Sequence, residues 1–108
     1  MSINQKQDYL NILRKLKNDP HTSQRILSKN LGISLGKLNY CINALKKKGI
    51  IKIKNFTKNK DRFNYNSQFN YFYILTPKGI SLKTKLSINF MKLKMKEYDE
   101  LKKEISNI

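Results

Sequence analysis

The residues that could do covalent chemistry are few, and their scarcity decides the class of protein first. The chain has one histidine, His21, one cysteine, Cys41, and no glycine-rich run of the kind that cradles phosphates. Nucleophilic catalysis needs a base within hydrogen-bond reach of the nucleophile. A single His in a turn and a single Cys on the apolar side of a helix assemble no such pair. The two also fall short of a zinc site, and one cysteine makes no internal disulfide. No enzyme activity, metal or cofactor is expected. Cys41 reads as a small core residue, because redox sensing would need exposure and a depressed pKa that nothing nearby supplies.

What the chain offers instead is cationic and amide chemistry. It holds 23 Lys and Arg against 7 Asp and Glu over 108 residues, a formal net charge of +16. Four of the acids (Glu97, Asp99, Glu100, Glu104) fall in the last twelve residues with only Lys102 and Lys103, so that segment carries −2 and residues 1–96 carry +18. Most of the basic residues are Lys, alongside many Asn and Ile, and a genome poor in G and C produces part of that by drift. The excess over the body still asks for a polyanionic partner. The run Ser34-Leu35-Gly36-Lys37-Leu38-Asn39-Tyr40-Cys41-Ile42-Asn43 carries the side chains suited to reading one. Lys37 can donate to guanine O6 or N7, and Asn39 can pair with adenine N6 and N7. Gly36 lets the backbone approach a duplex closely, while Tyr40 and Asn43 suit a phosphate or a thymine methyl. Ser23, Gln24 and Arg25 stand where a helix N-terminus and a base suit a phosphate, although Ser23 equally suits a plain N-cap. Lys58, Lys60 and Arg62 form a basic cluster for phosphates or, for Arg62, a narrow minor groove. Lys46, Lys47 and Lys48 complement a helix C-terminus.

These residues need elements to hold them. Tyr9, Leu10, Leu13 and Leu16 recur at helical spacing, ended by Asn18-Asp19-Pro20. A second helix runs from Ser23 as N-cap through Ile26, Leu27 and Leu31 to Gly32. A third starts at Ser34, buries Leu38, Cys41, Ile42 and Leu45, stops at Gly49, and turns Leu35, Gly36, Lys37, Asn39, Tyr40 and Asn43 outward. After Gly49 the period becomes two: Ile51-Lys52-Ile53-Lys54 alternates core and lysine, and Phe69 to Leu75 is aromatic and β-branched. The two strands form a hairpin joined by a long polar loop, Thr57 to Gln68. Tyr65, Tyr71, Phe72 and Tyr73 are read as strand packing rather than a base-stacking platform. Thr76-Pro77 opens a last helix reaching Ile105. The expected fold is mainly α with a small β-hairpin wing, a winged helix-turn-helix in residues 1–76, followed by a long C-terminal dimerisation helix in residues 77–108.

Ser23-Gln24-Arg25, Leu31-Gly32-Ile33-Ser34, Leu45 with Gly49-Ile50-Ile51, and Leu75-Thr76-Pro77-Lys78-Gly79 resemble the MarR-type winged-helix transcriptional regulators. Ser34 to Cys41 and the closing Leu93-Lys94-Met95-Lys96-Glu97-Tyr98 are similar to the small exopolysaccharide-associated branch of that family. The resemblance implies a dimeric regulator of transcription that binds double-stranded DNA, acting on polysaccharide-biosynthesis genes. Two departures stand out. Asp61-Arg62 is followed by Phe63 where larger members carry a second Arg, and the loop from Asp61 is long. The chain also lacks the extra helical mass in which larger members form ligand pockets, so no effector is implied.

The last helix supplies the expectation of a dimer. Leu82, Leu86, Phe90 and Leu93 form one stripe for the helix's own domain. Ile80, Ile88, Met91, Met95 and Tyr98 form a second, continued by Leu101 and Ile105, which a monomer leaves uncovered. The N-terminus has no apolar signal-peptide core and no stretch approaches a membrane span, so a cytoplasmic protein is expected, with no membrane partner. A protein-binding winged module with an acidic partner is the competing reading, and an RNA-binding or nucleoid-type protein a more distant one.

Overall fold

Two serines and two glycines mark out the helix-turn-helix. In the computed structural model, which describes residues 3–55 and 71–107, helix α1 spans Ile3–Asn18, α2 Gln24–Leu31 and α3 Leu35–Lys47. Ser23 Oγ accepts from the backbone N–H of Ile26 at 3.2 Å, and Ser34 Oγ from that of Lys37 at 3.1 Å, each satisfying one orphan donor of its helix. Gly32 (φ 68°) and Gly49 (φ 72°) take the left-handed conformation that a side chain disfavours. Each closes its helix with the same pair of bonds. Gly32 N and Ile33 N donate to Lys29 O and Ser28 O, while Gly49 N and Ile50 N donate to Lys46 O and Leu45 O.

Beyond Ile50 the chain enters the hairpin of β1 (Ile51–Asn55) and β2 (Tyr71–Leu75), antiparallel with Ile51 opposite Leu75 and Ile53 opposite Tyr73. Lys52 and Lys54 are exposed while Ile51 is buried and Ile53 half-buried, as the alternation requires. On its other edge β2 is tied to the turn after α1, where Tyr73 N donates to Pro20 O at 2.9 Å. Phe69 and Asn70, expected to begin this strand, and the loop from Thr57 to Gln68 lie outside the described residues, as does Tyr65. Helix α4 (Pro77–Ser106) is capped by Thr76, whose hydroxyl accepts from Gly79 N at 3.0 Å and bonds the carbonyls of Gly49 and Ile50.

The core joins Tyr9, Ile12, Leu13 and Leu16 of α1 to Leu27 of α2, to Leu38, Cys41, Ile42 and Leu45 of α3, and to Ile50, Ile51, Tyr73 and Leu86. Helix α1 packs against α2, β2 and α4, which is why Ile12 is buried outside the expected stripe. Two residues depart from expectation. Ile26 is 43% exposed, because the short α2 seats itself mainly through Leu27; Leu31 is half-buried. Leu93 is 42% exposed, because α4 has already run past the body at Phe90. Residues 91–107 are all exposed, a projection of about 25 Å that stretches the molecule to 67 × 26 × 21 Å. Among the described residues no helix is long and apolar enough to cross a membrane.

Candidate nucleic-acid interface

Helix α3 turns Leu38, Cys41, Ile42 and Leu45 inward, and this fixes what it can present outward. Gly36, Tyr40, Asn43 and Lys47 follow at steps of four, three and four residues and make the ridge farthest from the core. All four are exposed, Tyr40 to 68%. A methyl group added at Gly36 would meet nothing within 4 Å, so the ridge has a bare notch at its N-terminal end. Leu35, 42% exposed, and Ser34 stand at the helix entrance, with the Ser34 hydroxyl committed to its cap.

Lys37 and Asn39 lie on opposite flanks of that ridge, roughly 160° apart around the helix, and each is held by another helix. Asn39 Nδ2 donates to Gln24 Oε1 at 3.1 Å, and Asn43 Nδ2 donates to Asn39 Oδ1 at 3.1 Å. The result is a chain of three amides running from α3 across to the start of α2. It brings Gln24, Asn39 and Asn43 into one polar array, with Gln24 and Asn43 at its ends. Ser23 is buried and its hydroxyl serves the cap, which favours the plain capping role over a phosphate contact. Arg25, on the next position of α2, is exposed.

On the other flank Lys37 Nζ lies 3.0 Å from Asp8 Oδ2 of α1. Nothing in the helical spacing of α1 singles out Asp8 as a site residue. The signal available was its rarity: with Asp19 and Asp61 it is one of three acids in the first 96 residues. Cys41 sits in the core on the same flank. Burial pushes its thiol up from its ordinary range, the Asp8 carboxylate adds to that, and Lys37 opposes it. The thiol is kept protonated, which agrees with a packing role.

Lys46 and Lys47 are exposed in the last turn of α3, and the Lys48 ammonium sits 5.7 Å from the centre of the Tyr9 ring. Lys52 and Lys54 continue the cationic surface along β1. Lys58, Lys60 and Arg62 lie outside the described residues. On α4, the residues expected to pair two chains are all exposed: Ile88, Met91, Met95, Tyr98, Leu101 and Ile105. Among the described residues no three His, Cys, Asp or Glu side chains come together, and His21 packs on Phe72 with ring centres 5.1 Å apart.

Residues 10–52, from α1 through the helix-turn-helix to the start of β1, match the family described as winged helix-turn-helix DNA-binding. No curated protein sequence matches the chain. Among solved structures, the chain is similar to Staphylococcus aureus MarR in complex with salicylate and kanamycin (TM-score 0.63, 20% identity, 86% of this chain and 57% of that one). It is also similar to Lactococcus lactis ZitR in complex with DNA (TM-score 0.63, 17% identity, 94% and 61%). A third similar structure is the Streptomyces coelicolor regulator PcaV with its natural ligand (TM-score 0.62, 12% identity, 100% and 76%). The chain thus has the winged-helix fold of MarR-type proteins, and spans about three fifths of the length of the first two.

Proposed function

We propose that the protein is a transcriptional regulator that binds duplex DNA in a sequence-dependent way as a homodimer. The observation that carries this is the outward ridge of α3, Gly36-Tyr40-Asn43-Lys47, flanked by the amide chain to Gln24, on a body of strongly positive charge. A helix entering the major groove meets base edges with its N-terminal half. There the notch at Gly36 gives the backbone room, Tyr40 offers an apolar face to a thymine methyl, and the amides of Asn39, Asn43 and Gln24 match adenine or phosphate oxygens. Arg25 and the lysines of β1 suit the backbone on either side. That one of the similar structures, Lactococcus lactis ZitR, is a complex with DNA supports DNA as the partner.

The dimer reading rests on α4. Its apolar residues beyond Phe90 face solvent in a single chain, and an exposed strip of that length usually marks an interface. Pairing two such helices about a two-fold axis covers Ile88, Met91, Met95, Tyr98, Leu101 and Ile105. It sets two α3 helices about 34 Å apart for an inverted repeat. In this reading residues 1–76 bind DNA and residues 77–108 dimerise. The likeness of Ser34 to Cys41 to the exopolysaccharide-associated branch supports polysaccharide-biosynthesis genes as the target, and the fold and charge support a cytoplasmic location.

Fluorescence anisotropy of labelled duplexes against salt tests the binding. Affinity should fall steeply, with a slope of roughly 0.9 in log K per phosphate neutralised. No binding to any duplex at about 50 mM salt would hand the basic face to an acidic protein partner instead.

A further inference from the structure

We propose that Asn43 is the base-reading amide of α3, selecting adenine over guanine at one position of its site, and that Asn39 and Gln24 are positioning residues that fix which way its amide points. The inference deepens the duplex-binding reading above and rests on it. The amide chain has a direction. Asn43 Nδ2 donates to Asn39 Oδ1, and Asn39 Nδ2 in turn donates to Gln24 Oε1, both at 3.1 Å. Asn39 thus has its carbonyl and one N–H engaged within the protein. Asn43 keeps its carbonyl oxygen and its second N–H, and Gln24 keeps both N–H groups, none of them held by another described residue. Asn43 also stands on the outermost ridge of α3, one turn beyond Asn39, and both are exposed.

That direction decides the base. A carbonyl beside an N–H is the pair that adenine N6 and N7 require, whereas guanine presents two acceptors, O6 and N7, to the same edge. If the Asn43 amide alone turned over, its carbonyl would face the Asn39 carbonyl and a bond would be lost, which is costly once the groove has excluded water. Turning all three amides together restores the bonds and leaves Asn43 with two N–H groups outward, the pattern for guanine. The Gln24 end opposes this. Gln24 opens α2 beside the exposed Arg25, where the DNA backbone is the expected neighbour, and phosphate oxygens only accept. Turned over, Gln24 would set its carbonyl against phosphate. The backbone contact therefore holds the chain in the direction that reads adenine. No bond of the chain is given up when adenine pairs with Asn43.

The test uses the full-length protein and a duplex enriched by selection, together with duplexes in which each base pair of that site is replaced in turn, read by anisotropy. Gln24 is half-buried and Asn39 and Asn43 are exposed, so the substitutions leave the core intact. Wild-type protein should favour adenine over guanine at one position by about 5- to 100-fold. Asn43→Ala should bring that ratio close to one. Asn39→Ala should lower it at the same position, and should change it no further in the Asn43→Ala background. Gln24→Met, which removes the acceptor for Asn39, should also lower the ratio. Gln24→Glu still accepts from Asn39 but sets a carboxylate against phosphate, so it should weaken every duplex alike and keep the ratio. A role for Gln24 in affinity alone would leave the ratio unchanged in both variants. The proposal is overturned if no position responds to Asn43→Ala, if that position favours guanine, if Asn39→Ala acts at a different position, or if Gln24→Met keeps the ratio. A wild-type chain that binds duplexes without sequence preference, or not at all, would instead reject the functional reading itself.

Discussion

Replacing a glycine by alanine should have opposite effects at two places in this chain. At Gly79, in the first turn of α4, an added methyl would overlap the carbonyl oxygen of Ile50 and come within 3.1 Å of its carbonyl carbon and 3.2 Å of its Cγ2. That carbonyl is pinned: it accepts from Thr76 N at 3.0 Å and from the Thr76 hydroxyl at 3.1 Å. Backbone must therefore move, and the hairpin and α4 must part. Overpacking of this kind costs about 3 kcal/mol at the upper end of its usual range. Alanine returns at most about 1 kcal/mol of helix propensity. The net loss of about 2 kcal/mol should lower the melting temperature by roughly 8–16 °C in a domain of this size. At Gly36 nothing lies within 4 Å, so the same substitution should be neutral or add up to about 1 kcal/mol. On the proposed function it should still weaken duplex binding, by filling the notch at Gly36. Thermal melts followed by circular dichroism at 222 nm, run on both variants, check the pair. A Gly79→Ala melt at or above wild type would refute the packing of α4 on Ile50.

Three further outcomes follow from the same geometry. Asn39→Ala should cost roughly 1–3 kcal/mol on the preferred site and little on random duplex; equal losses on both would remove the amide chain from sequence reading. Deleting residues 94–108 should reduce the molecular mass in sedimentation at micromolar concentration and lose the affinity gained by joining two half-site binders. A full-length monomer whose DNA binding ignores the deletion would end the dimer reading. The Cys41 thiol, raised by burial and by Asp8, should resist DTNB in the folded protein and react once the chain is unfolded in urea. Because the folded state holds that proton more tightly, its contribution to stability is complete below the thiol's unfolded range near 8.5 and is lost as pH rises above it. Immediate stoichiometric labelling of native protein would contradict this.

Helix α3 was legible because its signals are local. Ser34 caps it, Leu38, Cys41, Ile42 and Leu45 keep one face, and Gly49 ends it in the conformation glycine allows. The hairpin was legible from the change of period at Ile51. Ile12 and Ile26 were not, because their burial depends on how many neighbours a helix has rather than on its own spacing. Helix α1 is enclosed by three elements, and α2 presents mainly Leu27. The ion pair of Asp8 with Lys37 joins two helices 29 positions apart in sequence, so it depends wholly on how α1 and α3 are set together. The amide chain was half legible. Its members were named as candidates, but their mutual bonds arise only when α2 and α3 meet at the turn. On α4 the two stripes were readable, yet the point where the body ends, at Phe90, is fixed by the packing of α1 beneath it.

On the proposed function α3 reads sequence in duplex DNA, from two copies held by paired α4 helices. Selection from a library of random duplexes, carried out with the full-length protein and sequenced after several rounds, tests it most directly. The selected duplexes should share an inverted repeat whose half-site centres lie about 10 base pairs apart, one helical turn of DNA. A library no different from its input after selection at about 100 mM salt, where phosphate contacts alone hold weakly, would contradict it.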